Sequence, residues 1–167
     1  VKSPIQRRVA IAALLMAPVL GACGFSAQTD QVYQAAAGVN DRSGNVDILN
    51  ALVVSGTDGA GTLSTTLVDN DQNKADQLTS VTGPGIVATT SGVVVSAAGA
   101  ADTSKPAPNG APQVALQGAG IKPGQFVTLT FVFASGQSTT LKVQVFAATG
   151  DYSGIPLPSS GASPTTH

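Results

Sequence analysis

Val127-Thr128-Leu129-Thr130-Phe131-Val132-Phe133, then Ala134-Ser135-Gly136-Gln137-Ser138-Thr139, then Thr140-Leu141-Lys142-Val143-Gln144-Val145: this stretch decides the fold. Val127, Leu129, Phe131 and Phe133 alternate with Thr128, Thr130 and Val132. Leu141, Val143 and Val145 alternate with Thr140, Lys142 and Gln144. A period of two places each apolar set on one face of an extended strand, and Ser135-Gly136-Gln137 supplies the turn between them. The expected product is a β-hairpin with one buried and one wetter face.

The same rhythm recurs upstream. Asn45–Val54 reads as a strand whose buried face is Val46, Ile48, Leu52 and Val54. Gly56-Thr57-Asp58-Gly59-Ala60-Gly61 is a turn, because Asp-Gly accepts the left-handed conformations a hairpin needs. Thr62–Val68 alternates again through Leu63 and Leu67. A polar turn, Asp69-Asn70-Asp71-Gln72-Asn73-Lys74, leads into Asp76–Val81, and Val87 and Val93-Val94-Val95 mark one or two more strands. Val32-Tyr33 begins a first strand and Val114–Leu116 is a short one. Residues 97–112 combine small side chains with Pro106, Pro108 and Pro112 and read as a flexible loop. Residues 156–167, rich in Pro, Ser and Thr, read as a disordered tail. The expected fold is all-β: a Greek-key immunoglobulin- or cupredoxin-like β-sandwich of seven or eight strands over residues 32–155.

The N-terminus carries a different signal. Lys2, Arg7 and Arg8 precede twelve residues, Val9–Leu20, that are apolar apart from Pro18. That run is short of the roughly 20 residues a spanning helix needs and fits a secretory h-region. It ends in Leu20-Gly21-Ala22-Cys23, and Cys23 is the chain's single cysteine. This resembles a bacterial lipoprotein signal. Residues 1–22 are then a signal peptide and Cys23 the lipidation site. Residues 23–31 become the lipidated N-terminus and tether. The expected location is the outer face of the cytoplasmic membrane, with the bilayer as partner through a diacylglyceryl anchor.

Composition narrows the function. Beyond residue 22, five positive side chains face nine aspartates, a net of −4. No basic patch exists for nucleic-acid phosphates. With Cys23 lipidated, no disulfide can form within the chain. Val, Thr, Ala, Ser and Gly dominate, which favours strands and turns.

The stretches Gly61–Asn70, Ala75–Val81, Ile121-Lys122-Pro123-Gly124 and the closing hairpin resemble the periplasmic copper-chaperone family called PCu(A)C. The likeness covers about residues 45–146 and resembles most the small actinobacterial lipoproteins related to that family. It implies a cupredoxin-like sandwich. The family's copper site uses two His and two Met, since imidazole and thioether suit Cu(I). Here the only methionine is Met16 and the only histidine His167. The segment Val87–Ala98 holds Ala, Thr, Ser, Gly and Val, so no ligand carries over.

Other chemistries fare no better. Asp69-Asn70-Asp71-Gln72-Asn73 echoes a calcium loop, but the EF-hand pattern wants Gly and Glu where Lys74 and Ser80 stand. Asp69, Asp71 and Asp76 are weak metal candidates, with a solvated turn the plainer reading. Gly118–Gly124 lacks the Gly-Lys-Ser/Thr of a phosphate loop. A serine nucleophile needs a base, and the folded region holds no histidine. Phe131 and Phe133 read as core; Tyr152 packs on the sandwich edge or meets a partner. No catalytic residue and no cofactor are expected. The expected role is a non-enzymatic binding or accessory module of the cell envelope, with an envelope protein or wall component as partner. The alternatives are a metal-handling protein with a degenerate site and a carrier of an apolar ligand.

Overall fold

The computed structural model describes residues 37–159. Among the described residues are ten strands: β1 (Val39–Asp41), β2 (Val46–Thr57), β3 (Ala60–Asp69), β4 (Asp76–Gly83), β5 (Ile86–Thr90), β6 (Val93–Val95), β7 (Ala100–Asp102), β8 (Val114–Gln117), β9 (Phe126–Phe133) and β10 (Ser138–Ala147). β1, β6 and β7 are three-residue pieces. The other seven match the expected sandwich. The start of a strand at Val32-Tyr33 lies outside the described residues.

The seven longer strands close into a ring in the order β2-β10-β9-β4-β5-β8-β3, and β3 pairs back onto β2. Closure satisfies strand edges that would otherwise present unpaired backbone. β2 and β10 run parallel, with Val145 opposite Val53; the other pairings are antiparallel. The β9–β10 hairpin pairs Val132 with Ser138 and continues in unbroken register to Phe126 and Gln144. Gly136 sits at φ +90 in its turn, the left-handed position that glycine occupies without a Cβ clash.

One core fills the ring. Phe131, Leu129, Phe133, Ile48, Leu63, Leu67, Leu78, Leu116 and Ile121 are essentially inaccessible to solvent. Each such side chain is worth roughly 1.5–3 kcal/mol of burial.

β2 departs from simple alternation. Val46 and Ile48 face the core, but past Asn50 the core residues are Ala51 and Val53. Asn50 adopts φ +51, and the register with β3 shifts between Leu49 and Leu52. A bulge adds one residue to the strand and reverses the parity of everything after it. Leu52 and Val54 are therefore buried on the opposite face rather than in the expected core stripe. Val54 stands opposite Thr62 and Phe146. On that face the Tyr152 ring lies 5.1 Å from the Phe146 ring. Thr62 Oγ1 donates to the Pro156 carbonyl at 2.5 Å, and the Leu157 side chain occupies the space beside Gly56. The expected disordered tail thus begins with a docked segment, because a second apolar face needed covering; residues 160–167 lie outside the described residues.

Residues 97–112 also differ from the expected loop. Ala100–Asp102 pairs with Thr66–Val68 of β3. Pro106 and Pro112 bridge, and Ala107 N donates to Ala111 O at 2.8 Å. Thr103 is fully buried. Composition pointed to a loop because small residues and prolines carry little hydrophobic pattern; the exposed edge of β3 supplies the pairing that composition does not show.

Candidate functional site

Ser91–Val94, Ala100–Asp102 and Lys105–Pro108 wall an open groove of about 640 Å³, which Thr66 and Gln113 also line. Backbone geometry and one side chain fix the walls. Gly92 turns the chain at φ +74 between β5 and β6, and Ser91 N donates to Gln113 O at 2.9 Å. The Gln113 side-chain amide donates to the carbonyls of Asp102 and Lys105, both at 3.0 Å. A single side chain therefore shapes the turn that follows β7. The lining is short aliphatic and backbone-rich. Its charges are Asp102 and Lys105, 4.0 Å apart. Val94 is 59 % exposed.

Asp69, Asp71 and Asp76 come together elsewhere. All three line a cavity of about 30 Å³ with Asn45, Lys74, Ala75 and Ser135. Asp69 ends β3, and its Oδ1 accepts from Asp71 N at 2.9 Å. Asp71 Oδ1 accepts from the amides of Asn73 and Lys74 at 2.8 and 3.2 Å, the local bonding that favours aspartate in turns. Asp76 opens β4 and reaches further. Its Oδ1 accepts from Gln77 N at 2.7 Å and from Ser135 N, 59 residues away in the β9–β10 turn, at 3.0 Å. Burial is the largest influence on the Asp76 carboxyl and acts upward. The Ser135 hydroxyl, the amides of Gln77 and Ser135 and the charge of Lys74 together outweigh it, and the group is held below its ordinary value. Among the described residues, no three or more His, Cys, Asp or Glu side chains form a ready metal cluster.

Phe131 and Phe133 are core, as their alternation implied. Tyr152 packs on Phe146. Cys23 lies outside the described residues. The signals that composition missed are polar. Gln137, in the hairpin turn, accepts from Val46 N at 2.9 Å and donates to Val46 O at 2.8 Å, 91 residues away. Its amide stands in for a strand partner, and a Cβ on Gly44 would lie 2.2 Å from it. Thr103 performs the same service for β3: its hydroxyl donates to Leu63 O at 2.8 Å and accepts from Thr65 N at 2.9 Å. A turn glutamine and a loop threonine carry no periodicity that would announce these roles.

No family model and no curated protein matches the sequence. Solved structures do. The copper-bound PCuAC domain from PmoF2 is similar at 18% identity and a TM-score of 0.53, over 65% of this chain and 98% of that one. The apo PCuAC domain from PmoF1 is similar at 15% identity and a TM-score of 0.53, over 65% of this chain and 99% of that one. The apo PmoF2 PCuAC domain gives 14% identity and a TM-score of 0.51, over 67% and 98%. The chain therefore has a PCuAC-like β-sandwich fold, and residues 37–159 contain no histidine, methionine or cysteine from which a soft copper site could be built.

Proposed function

We propose that this protein is a non-enzymatic binding module of the cell envelope, lipid-anchored through Cys23 on the outer face of the cytoplasmic membrane. The observation that carries the reading is the groove walled by Ser91–Val94, Ala100–Asp102 and Lys105–Pro108. Its lining offers shape, backbone groups and one ion pair, but no nucleophile with a base and no soft metal donor. Such a surface suits an extended, uncharged segment of an envelope partner. Cys23→Ala should release the protein or leave an unprocessed precursor; unchanged processing and membrane retention would refute the anchor. In-cell crosslinking followed by mass spectrometry tests the groove. One stoichiometric envelope partner, lost in Val94→Glu and Lys105→Glu, supports the reading. A partner retained by both variants moves the contact elsewhere.

The likeness to a copper-bound domain favours a second reading, in which the protein handles copper. Soft Cu(I) prefers sulfur and imidazole, and the residues of the folded region do not fit it. Donors would have to come from Met16, Cys23 or His167, or from a partner. Anaerobic Cu(I) competition against a colorimetric chelator separates the two readings. Retention of one Cu(I) per chain, lost in His167→Ala, would favour copper handling.

A further inference from the structure

The start of β2, the β3–β4 turn and the β9–β10 turn converge on the 30 Å³ cavity that Asp69, Asp71 and Asp76 share with Lys74, Asn45 and Ser135. That volume is about one water molecule's share of liquid. Asp69 is 2 % exposed and Asp76 9 %. In each, Oδ1 is tied to backbone amides, which fixes the orientation of the carboxylate. The remaining oxygen of each, Oδ2, is buried, and no donor among the described residues reaches it. Two such oxygens on residues that line one small cavity are costly unless something positive binds them. Three carboxylates and one ammonium line the space, a formal charge of −2. Lys74 offsets part of that charge but makes no ion pair with any of the three, since the ion pairs among the described residues are Arg42–Asp47, Lys105–Asp102 and Lys122–Asp58.

We propose that this cavity binds one hard divalent cation, calcium in preference to magnesium, through Asp69 Oδ2 and Asp76 Oδ2. Asn45, Ser135 and solvent supply further oxygens. Every candidate donor is oxygen, which suits hard cations. Magnesium demands a near-ideal octahedron of ligands, whereas calcium accepts irregular oxygen shells. Two carboxylates without a third acidic ligand imply weak affinity, about 10⁻⁴–10⁻³ M, the range of extracellular calcium modules. The site also ties down the chain just before the groove wall: Asp69 N donates to Gly99 O at 2.9 Å, and Ala98 N donates to Asp71 O at 2.8 Å. Cation binding would hold the chain entering β7 from the same residues. The proposal stands apart from the groove reading, since either can hold without the other.

The test uses the purified full chain, stripped with a chelator and titrated with calcium chloride by calorimetry and thermal melting. One calcium per chain is expected. At a calcium concentration 100 times Kd the melting temperature should rise by about 10 °C. Asp69→Asn and Asp76→Asn should each weaken binding at least tenfold, and Lys74→Gln should tighten it by removing a competing cation. No heat and no thermal shift at 10 mM calcium would overturn the proposal and leave the cavity to water. So would an equal response to magnesium, or undiminished binding in Asp76→Asn. If Asp69→Asn fails to fold, Asp76→Asn and Lys74→Gln still decide.

Discussion

Thr103→Val is the sharpest test of how the sheet is completed. The outer edge of β3 pairs with β8 at residues 60–62 and with β7 at residues 66–68. Residues 63–65 between them have no strand partner on that side. Thr103 fills the gap: its amide donates to Thr65 O at 2.9 Å, and its hydroxyl bonds Leu63 O and Thr65 N. Valine has nearly the same shape but no hydroxyl. The Thr65 N–H would be left buried without an acceptor, at about 1–3 kcal/mol, and the bond to Leu63 O would be lost at about 1 kcal/mol. The expected destabilisation is about 2–4 kcal/mol. Thr103→Ser keeps the hydroxyl and loses one methyl, at about 0.8 kcal/mol. Equilibrium urea unfolding of both variants reads the difference. With a slope of about 1.5 kcal/mol/M, the midpoint of Thr103→Val should fall by about 1–3 M with the slope unchanged. If Thr103→Val lies within about 0.5 kcal/mol of Thr103→Ser, the hydroxyl is not completing the edge and the reasoning fails.

Gln137→Ala should cost about 2–3 kcal/mol, since it strips both bonds from the Val46 backbone; Gln137→Glu, which places a carboxylate oxygen against Val46 O, should do no better in the same urea assay. Gly118→Ala should lower the melting temperature by several degrees, about 4 °C per kcal/mol in a domain of this size. Its Cβ would meet Gly85 O at 2.3 Å and Ile86 Cα at 3.0 Å, and backbone cannot swing aside; an unchanged melting temperature would refute that contact. Asp76 has a folded-state carboxyl held below its ordinary value, so its contribution is present above the unfolded value of about 3.9 and lost as pH falls through the folded one. In calcium-free buffer, the stability gap between wild type and Asp76→Asn should be widest at neutral pH and narrow below about pH 4; a gap constant from pH 7 to pH 2.5 would contradict this.

The alternation of Val127–Phe133 and Leu141–Val145 determined the hairpin, the all-β class and which phenylalanines are core, because a period of two leaves an extended strand little choice of face. Asp58-Gly59 and Lys122-Pro123-Gly124 likewise fixed their turns, with Gly59 at φ +87 and Gly124 at φ +84. The absence of histidine and methionine from the folded region was equally plain in the sequence and bears directly on copper. Tertiary structure alone decided what depends on partners distant in the chain. The bulge at Asn50 moved Leu52 and Val54 off the core face, since one extra residue reverses a strand's parity without altering its composition. β7 and the docked Pro156–Leu157 segment formed where an open edge and a second apolar face offered them contacts. Asp69, Asp71 and Asp76 were visible as acids in one turn. That two of them line one cavity and carry buried, unpartnered oxygens follows only from the approach of Ser135 and Asn45, which lie 59 and 31 residues from Asp76 along the chain. Local pattern fixes what each segment is; the closure of the ring fixes what it touches.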